Sequence, residues 1–211
     1  MRRMTMTQEQ RWVVLWKRLG ARGDARAVYT DLVARYSEPH RAYHTLEHIG
    51  HCLDEFEQVR HLAMNPDAVE LALWYHDAIY DTKAKDSEER SATLAVEVAR
   101  NASLPDSFGQ SVANLITATK HASAPIDPDV QLLVDIDLSI LGQSEDTFDE
   151  YERQVRKEYE WVAKDAFIAG RSAILKSFLD RQTIYSTQFF RDKYESQARA
   201  NIAKSLARLR A

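Results

Sequence analysis

The chain of 211 residues contains few cysteines, glycines and prolines, and each shortage excludes a structural feature or a class of fold. Its only cysteine, Cys52, excludes an intramolecular disulfide and suits a reducing compartment. Six glycines and five prolines are too few for a turn-rich β architecture, so we expect long helices with short connections. No apolar run approaches the roughly 18 residues that a membrane span needs, and the N-terminus lacks the apolar core of a signal peptide. We therefore expect a cytoplasmic protein with no membrane partner.

The chain length and net charge are those of an ordinary globular protein. The length suits a single domain over residues 1–211. The formal net charge of −4 offers no broad attraction for nucleic acid, so we expect no nucleic-acid polymer as a partner. A phosphate-bearing ligand would have to be attracted by a local site, such as a bound metal.

Apolar residues recur at helical spacing along nearly the whole chain, with capping residues and chain breaks between the segments. This pattern predicts an all-α fold. The predicted helices span about residues 7–20, 24–36, 43–61, 66–80, from 87 onward, 105–121, 129–141, 145–163, 165–182 and 187–210.

Several histidines and aspartates lie on the apolar faces of these predicted helices. His44 and His48 are one turn apart on a face that continues through Cys52, whereas Asp77 and Asp137 share faces with leucines. A buried carboxylate is unfavourable unless something compensates it, and a divalent cation would do so. Any one of these residues alone is more often structural than functional. Their combination predicts a metal site within a helical bundle, with the ligands His48, His76, Asp77 and Asp137.

The order of these residues resembles the HD superfamily of metal-dependent phosphohydrolases. Its signature is a histidine on one helix, a His-Asp pair on a later helix, and an aspartate farther along; here these are His48, His76-Asp77 and Asp137. The resemblance covers about residues 40–142 and is strongest to an uncharacterised bacterial branch. It implies an HD-domain-like helical bundle with a metal-site core over 40–142 and additional C-terminal helices over about 145–211.

The first histidine of the signature has two candidates. The segment Tyr43-His44-Thr45-Leu46-Glu47-His48 is similar to the Tyr-His-Asn-x-x-His segment of cyclic-nucleotide phosphodiesterases, with Thr45 in place of asparagine. That likeness implies that His48 binds the metal and that His44 protonates the departing oxygen. Other members carry a His-Ser/Thr-Leu triplet at the ligand position, which would make His44 the ligand instead. We favour His48.

The resemblance implies hydrolysis of a nucleotide or another small phosphate ester by a metal-activated water. The ligand set suits one divalent ion (manganese, iron, zinc, cobalt or magnesium), with a second metal left open. Asp77 or Asp135 would orient the water or accept its proton. Candidate substrate-binding residues, mostly charged side chains near the predicted site, are Lys120, His121, Glu88, Arg90 and Arg171.

Two other functions compete with hydrolysis. A non-catalytic nucleotide-binding or regulatory module would keep the fold without turnover, although such proteins tend to lose metal ligands. A di-iron oxygenase on the same fold would need additional histidine ligands, for which only His44 and His121 remain as candidates. The apolar faces of the terminal helices leave open whether the protein is a monomer or a homo-oligomer.

Overall fold

The structure is a computed structural model that describes residues 6–120 and 125–210. All regular secondary structure in these residues is helical, which confirms the predicted all-α fold class. No helix among them is long and apolar enough to cross a membrane. The α-helices are α1 (Gln8–Arg18), α2 (Ala25–Tyr36), α3 (Leu46–Val59), α4 (Pro66–Tyr75), α5 (Ser87–Asn101), α6 (Asp106–Thr117), α7 (Pro128–Asp137), α8 (Glu145–Glu158), α9 (Lys164–Leu179) and α10 (Gln188–Leu209). Short 3-10 segments at Arg60–Leu62, Ala118–Lys120 and Leu138–Gly142 extend α3, α6 and α7.

The chain divides into two compact units, Met1–Ala122 and Ser123–Ala211. The first, here called the N-terminal unit, contains α1 to α6, and the C-terminal unit contains α7 to α10. The boundary falls inside the range 40–142 that the sequence assigned to the core, rather than near residue 145. The expectation of a single domain stays a prediction.

Helix α4 is the central element of the N-terminal unit and packs against α1, α3, α5 and α6. Every residue from Ala68 to Tyr75 is buried, because the helix is apolar on nearly all sides. Its Trp74 ring lies edge-on to Trp12 of α1, with the centroids 5.5 Å apart. Because α4 is enclosed in this way, the residues that follow it directly lie in the interior of the unit.

Several helix starts follow the predicted capping residues. Thr7 and Gln10 form a reciprocal capping box at α1. The Asp24 side chain accepts hydrogen bonds from two backbone N–H groups at the start of α2. Pro66 is the first residue of α4, where its missing N–H has no cost.

Two helix boundaries near the candidate site differ from the prediction. Helix α3 begins at Leu46 rather than near Tyr43, because the extended Thr45 caps it by accepting a hydrogen bond from the Glu47 N–H. His44 therefore precedes the helix, and the prediction that it shares a helical face with His48 was wrong.

Helix α4 ends at Tyr75 rather than Tyr80. The side chain of Ser91 on α5 accepts a hydrogen bond from the Ile79 N–H and donates one to the Ile79 carbonyl, so these backbone groups are not available for a helix. His76 is the C-terminal cap of α4, and Asp77 lies in the turn that follows.

In the C-terminal unit, α10 packs against α9 and the 3-10 segment Leu138–Gly142. The Asn201 side-chain amide on α10 donates to the carbonyls of Leu141 and Gln143, both at 2.9 Å. The Tyr185 hydroxyl donates to the Leu138 carbonyl at 3.0 Å. These bonds satisfy the carbonyl groups exposed where α7 gives way to the 3-10 turn.

Candidate metal centre

Three side chains converge in the interior of the N-terminal unit: His48 of α3, His76 at the end of α4, and Asp77 beside it. His48 Nε2 lies 3.0 Å from His76 Nε2. Asp77 Oδ2 lies 3.1 Å from His76 Nε2 and 3.5 Å from His48 Nε2. Both histidine side chains are 1% exposed and that of Asp77 is 18% exposed. The structure thus brings together three of the four residues that the sequence predicted as ligands.

The spacing of these three atoms fits a single bound cation. Ligand atoms held about 2.0–2.2 Å from one ion at tetrahedral to octahedral angles are about 2.8–3.6 Å apart. The three measured separations of 3.0, 3.1 and 3.5 Å fall within that range. A circle through the three atoms has a radius of about 1.9 Å, so a point about 2.1 Å from all of them exists. The residues therefore fit a metal ion.

The hydrogen bond of His76 on its other ring nitrogen fixes the tautomer that a metal requires. Nδ1 lies 2.9 Å from the carbonyl oxygen of Leu73, which can only accept, so Nδ1 carries the proton. When His76 is neutral, Nε2 then carries the lone pair, 3.0 Å from His48 Nε2. Metal-binding histidines usually have this arrangement, with the second nitrogen held by a backbone carbonyl or carboxylate.

The electrostatic environment keeps Asp77 ionised. Burial raises the pKa of Asp77, but the neighbouring imidazoles of His76, His44 and His48 outweigh burial and hold this pKa well below its ordinary value. A carboxylate that is charged at neutral pH is the form that binds cations.

Cys52 belongs to the same cluster, although the sequence did not identify it as a ligand. It is fully buried on α3, and its Sγ lies 3.7 Å from each ring nitrogen of His48. Ligand atoms of His48, Cys52 and His76 all lie within 4.8 Å of one another. This buried group of the N-terminal unit could hold a metal ion.

His44 lies beside these residues and is held by aromatic rings. Its ring stacks on Tyr80 with the centroids 4.1 Å apart and meets Tyr43 edge-on at 5.0 Å. The His44 and His48 ring centroids are 6.0 Å apart, and His44 is half-buried where His48 is buried. Of the two candidates for the first ligand, His48 is the one whose nitrogen faces His76.

Sequence reasoning missed Arg41, which connects the two segments that carry His44 and Asp77. Its side chain is 0% exposed. Its Nη1 donates to the carbonyls of His44 and Asp77 at 3.0 and 2.8 Å, and its Nη2 donates to that of Ala78 at 3.2 Å. Its Nε donates to a Glu38 carboxylate oxygen at 3.0 Å. The guanidinium therefore fixes the backbone on both sides of the site.

Arg41→Lys is expected to lower the free energy of unfolding by about 2 kcal/mol, because one ammonium group cannot reach all four acceptors and leaves buried carbonyls unpaired. It should also weaken metal binding, since the backbone of Asp77 is no longer held. Urea unfolding and metal titration measure the two effects. Arg35→Lys is the matched control, because Arg35 forms a surface ion pair with Asp31 on α2. Unchanged metal affinity in Arg41→Lys would contradict the positioning role.

Asp135 and Asp137 lie in the C-terminal unit and have different surroundings. Asp135 is fully buried and accepts hydrogen bonds from the Ser186 N–H, the Thr187 N–H and the Thr187 hydroxyl at 2.8, 2.7 and 2.7 Å. Burial raises the pKa of Asp135, and these three bonds offset part of the rise. The carboxylate thereby holds the backbone of Ser186 and Thr187 just before α10, and its catalytic role stays a prediction.

Asp137 is half-buried at the last position of α7. Its charge contributes to the raised pKa of Tyr151, for which burial is the main cause. Its role as the fourth metal ligand stays a prediction from the sequence.

The predicted substrate-binding residues are mostly engaged in ion pairs. Lys120 pairs with Glu89, and Arg90 lies 3.9 Å from Asp86 at the start of α5. Glu88 is half-buried on the same turn and, after Glu89, raises the pKa of Lys120.

Arg171, in the C-terminal unit, donates two hydrogen bonds to Glu152 and lies over the Tyr151 ring at 5.1 Å. His121 lies outside the described residues. Phosphate binding by any of these residues stays a prediction.

Comparisons of the chain with protein-family models, with curated proteins and with solved structures gave no match. The resemblance to the HD superfamily therefore rests on the residue pattern of the sequence. The structure adds an all-helical fold and a buried cluster that could bind a metal ion.

Proposed function

We propose that the protein is a metal-dependent phosphohydrolase that acts on a nucleotide or another small phosphate ester. The observation that carries the proposal is the triangle of His48 Nε2, His76 Nε2 and Asp77 Oδ2, whose dimensions fit one cation. The order of these residues in the sequence, which resembles that of the HD superfamily, supports hydrolysis as the reaction. Asp137 stays the predicted fourth ligand.

The side chains of the site would have separate roles in such a reaction. A divalent ion at this position would lower the pKa of a bound water toward neutrality and supply the hydroxide that attacks phosphorus. His48 and His76 contribute neutral nitrogen ligands, and Asp77 contributes negative charge. The second carboxylate oxygen of Asp77 orients the attacking water and accepts its proton. We assign this role to Asp77 rather than to Asp135, because both oxygens of Asp135 already accept hydrogen bonds.

His44 is the proposed general acid. Its imidazole is half-buried next to the ligands, and stacking on Tyr80 limits its orientation. An imidazole titrates near neutral pH, so it can donate a proton to the departing oxygen and recover one from solvent. The partial exposure of His44 suits a group that must exchange protons with water.

A phosphatase screen tests the proposed function. The protein is loaded in turn with zinc, manganese, cobalt and magnesium and offered nucleoside monophosphates, cyclic nucleotides, dinucleotides and small phosphate esters. We expect metal-dependent hydrolysis of at least one class, which chelation abolishes. Stoichiometric metal with no hydrolysis of any class would favour the non-catalytic binding module instead.

His44→Ala should retain the metal and lower kcat by about 100-fold or more, because general acid catalysis typically contributes 100- to 10,000-fold. The loss should be larger for substrates with poor leaving groups, which need protonation most. Steady-state kinetics with two esters of different leaving-group pKa measures this difference. His61→Ala is the control, since His61 is exposed on the 3-10 segment after α3. Loss of the metal from His44→Ala would instead make His44 a ligand.

A further inference from the structure

We propose that Tyr36 is a positioning residue of the metal site, which holds the C-terminal end of α4 so that His76 and Asp77 face His48. The inference rests on the proposed metal site and deepens it. It concerns a residue that belongs neither to the signature in the sequence nor to the ligand triangle.

The end of α4 is held by side chains from outside the helix. The last carbonyl groups of a helix have no partner within it and must be satisfied from elsewhere. The Trp74 carbonyl accepts a hydrogen bond from the Tyr36 hydroxyl at 2.9 Å, and the Leu73 carbonyl lies at the same distance from His76 Nδ1. Tyr36 is the last residue of α2 and is 2% exposed. Its bond therefore joins α2 to the backbone that carries two of the proposed ligands.

The ring of Tyr36 also supports Arg41. The guanidinium carbon of Arg41 lies 5.1 Å from the centroid of this ring, within the distance at which a cation is attracted to an aromatic face. The same guanidinium donates to the carbonyls of Asp77 and Ala78. Tyr36 thus acts on residues 74–78 directly through its hydroxyl and indirectly through Arg41.

Loss of the hydroxyl would leave the buried Trp74 carbonyl without its donor, an unfavourable state that a shift of the helix end would relieve. Such a shift would move His76 and Asp77, which follow Trp74 by two and three residues. The separations of 3.0 and 3.1 Å between the ligand atoms, which fit one cation, would change with it.

The alternative is that Tyr36 contributes only to the stability of the fold, and Tyr75 provides the comparison that separates the two roles. Tyr75 directly follows Trp74 and is 1% exposed, and its hydroxyl has no hydrogen-bond partner among the described residues. Both tyrosines therefore bury a hydroxyl, but only that of Tyr36 holds the end of α4.

The experiment measures the Zn²⁺ affinity of the full-length wild type, Tyr36→Phe and Tyr75→Phe by competition with a chelating dye, and records the visible spectrum of each protein with Co²⁺. Tyr36→Phe should bind Zn²⁺ at least ~10-fold more weakly, since loss of a group that orients a ligand costs 10- to 100-fold. Its Co²⁺ bands should differ from those of the wild type, because these bands depend on the geometry of the ligands. Tyr75→Phe should match the wild type in both measurements.

Each outcome decides a separate claim. Wild-type Zn²⁺ affinity and Co²⁺ spectrum in Tyr36→Phe, even with a lower stability to urea, would overturn the positioning role and leave the proposed hydrolase site intact. Absence of metal binding by the wild type would overturn both. If Tyr36→Phe does not fold, hydrogen exchange of the wild type decides the matter. Zn²⁺ should slow amide exchange in residues 34–41 as well as in residues 74–78, and unchanged exchange in residues 34–41 would contradict the role.

Discussion

Asp77→Asn is expected to lower metal affinity by at least ~100-fold and to abolish measurable hydrolysis, the largest functional effect of any single change here. The substitution keeps the shape of the side chain but removes the negative charge that compensates the cation. Neutral amide oxygen is a poor ligand beside two imidazoles, and it cannot accept the proton of the attacking water. Isothermal titration with Zn²⁺ and a phosphate-release assay measure the two losses.

Asp81→Asn is the matched control for this change. Asp81 is exposed, lies four residues farther along the same connection, and accepts a hydrogen bond from the Lys83 N–H. Its replacement should leave both metal affinity and turnover unchanged. Wild-type metal affinity in Asp77→Asn would show that the carboxylate is not a ligand.

Asp135→Asn is expected to lower the free energy of unfolding by about 3 kcal/mol. The carboxylate accepts three hydrogen bonds from Ser186 and Thr187 in a fully buried position. An asparagine offers one acceptor oxygen, and its amide hydrogens would face a group that also donates. At least one buried donor is then left unpaired, which is the costly outcome. Urea unfolding followed by circular dichroism measures the change.

A control on α10, the helix that follows Ser186 and Thr187, separates this effect from the general loss of a carboxylate. Asp192 of α10 is exposed and accepts a hydrogen bond from the Gln188 side chain on the helix surface, so Asp192→Asn should change stability by no more than about 0.5 kcal/mol. If Asp135→Asn kept wild-type stability while kcat fell, Asp135 would act in the reaction, and our assignment of that role to Asp77 would be wrong.

Much of the fold could be predicted from the sequence because its signals are local. The capping residues Thr7 and Asp24 mark helix starts through bonds to the next two or three residues. The end of α4 could not be predicted in the same way. Arg41 satisfies backbone groups 36 and 37 residues away, and Ser91 satisfies those of Ile79, 12 residues away. Tertiary packing, and not the local sequence, decides which side chains become hydrogen-bond partners of these backbone groups.

The candidate site could likewise be predicted only where its signals are local. The inward faces of the helices indicated His48, His76 and Asp77, and the structure brings these three together. Helical periodicity also placed Cys52 inward, but only the distances connect its sulfur to His48. The resemblance made Asp135 a candidate for orienting the attacking water. Its bonds to Ser186 and Thr187, 51 and 52 residues away, depend on the packing of α10 and leave no local signal.

The central claim is that His48, His76 and Asp77 bind a metal ion, and elemental analysis tests it most directly. The experiment compares three purified proteins: the wild type, His76→Ala and the exposed-residue control His61→Ala. Each is incubated with Zn²⁺, and gel filtration removes the excess ion. Elemental mass spectrometry then measures the zinc bound per chain. The account predicts about one ion per chain in the wild type and in His61→Ala, and almost none in His76→Ala. No retained metal in the wild type, or equal metal in His76→Ala, would contradict it.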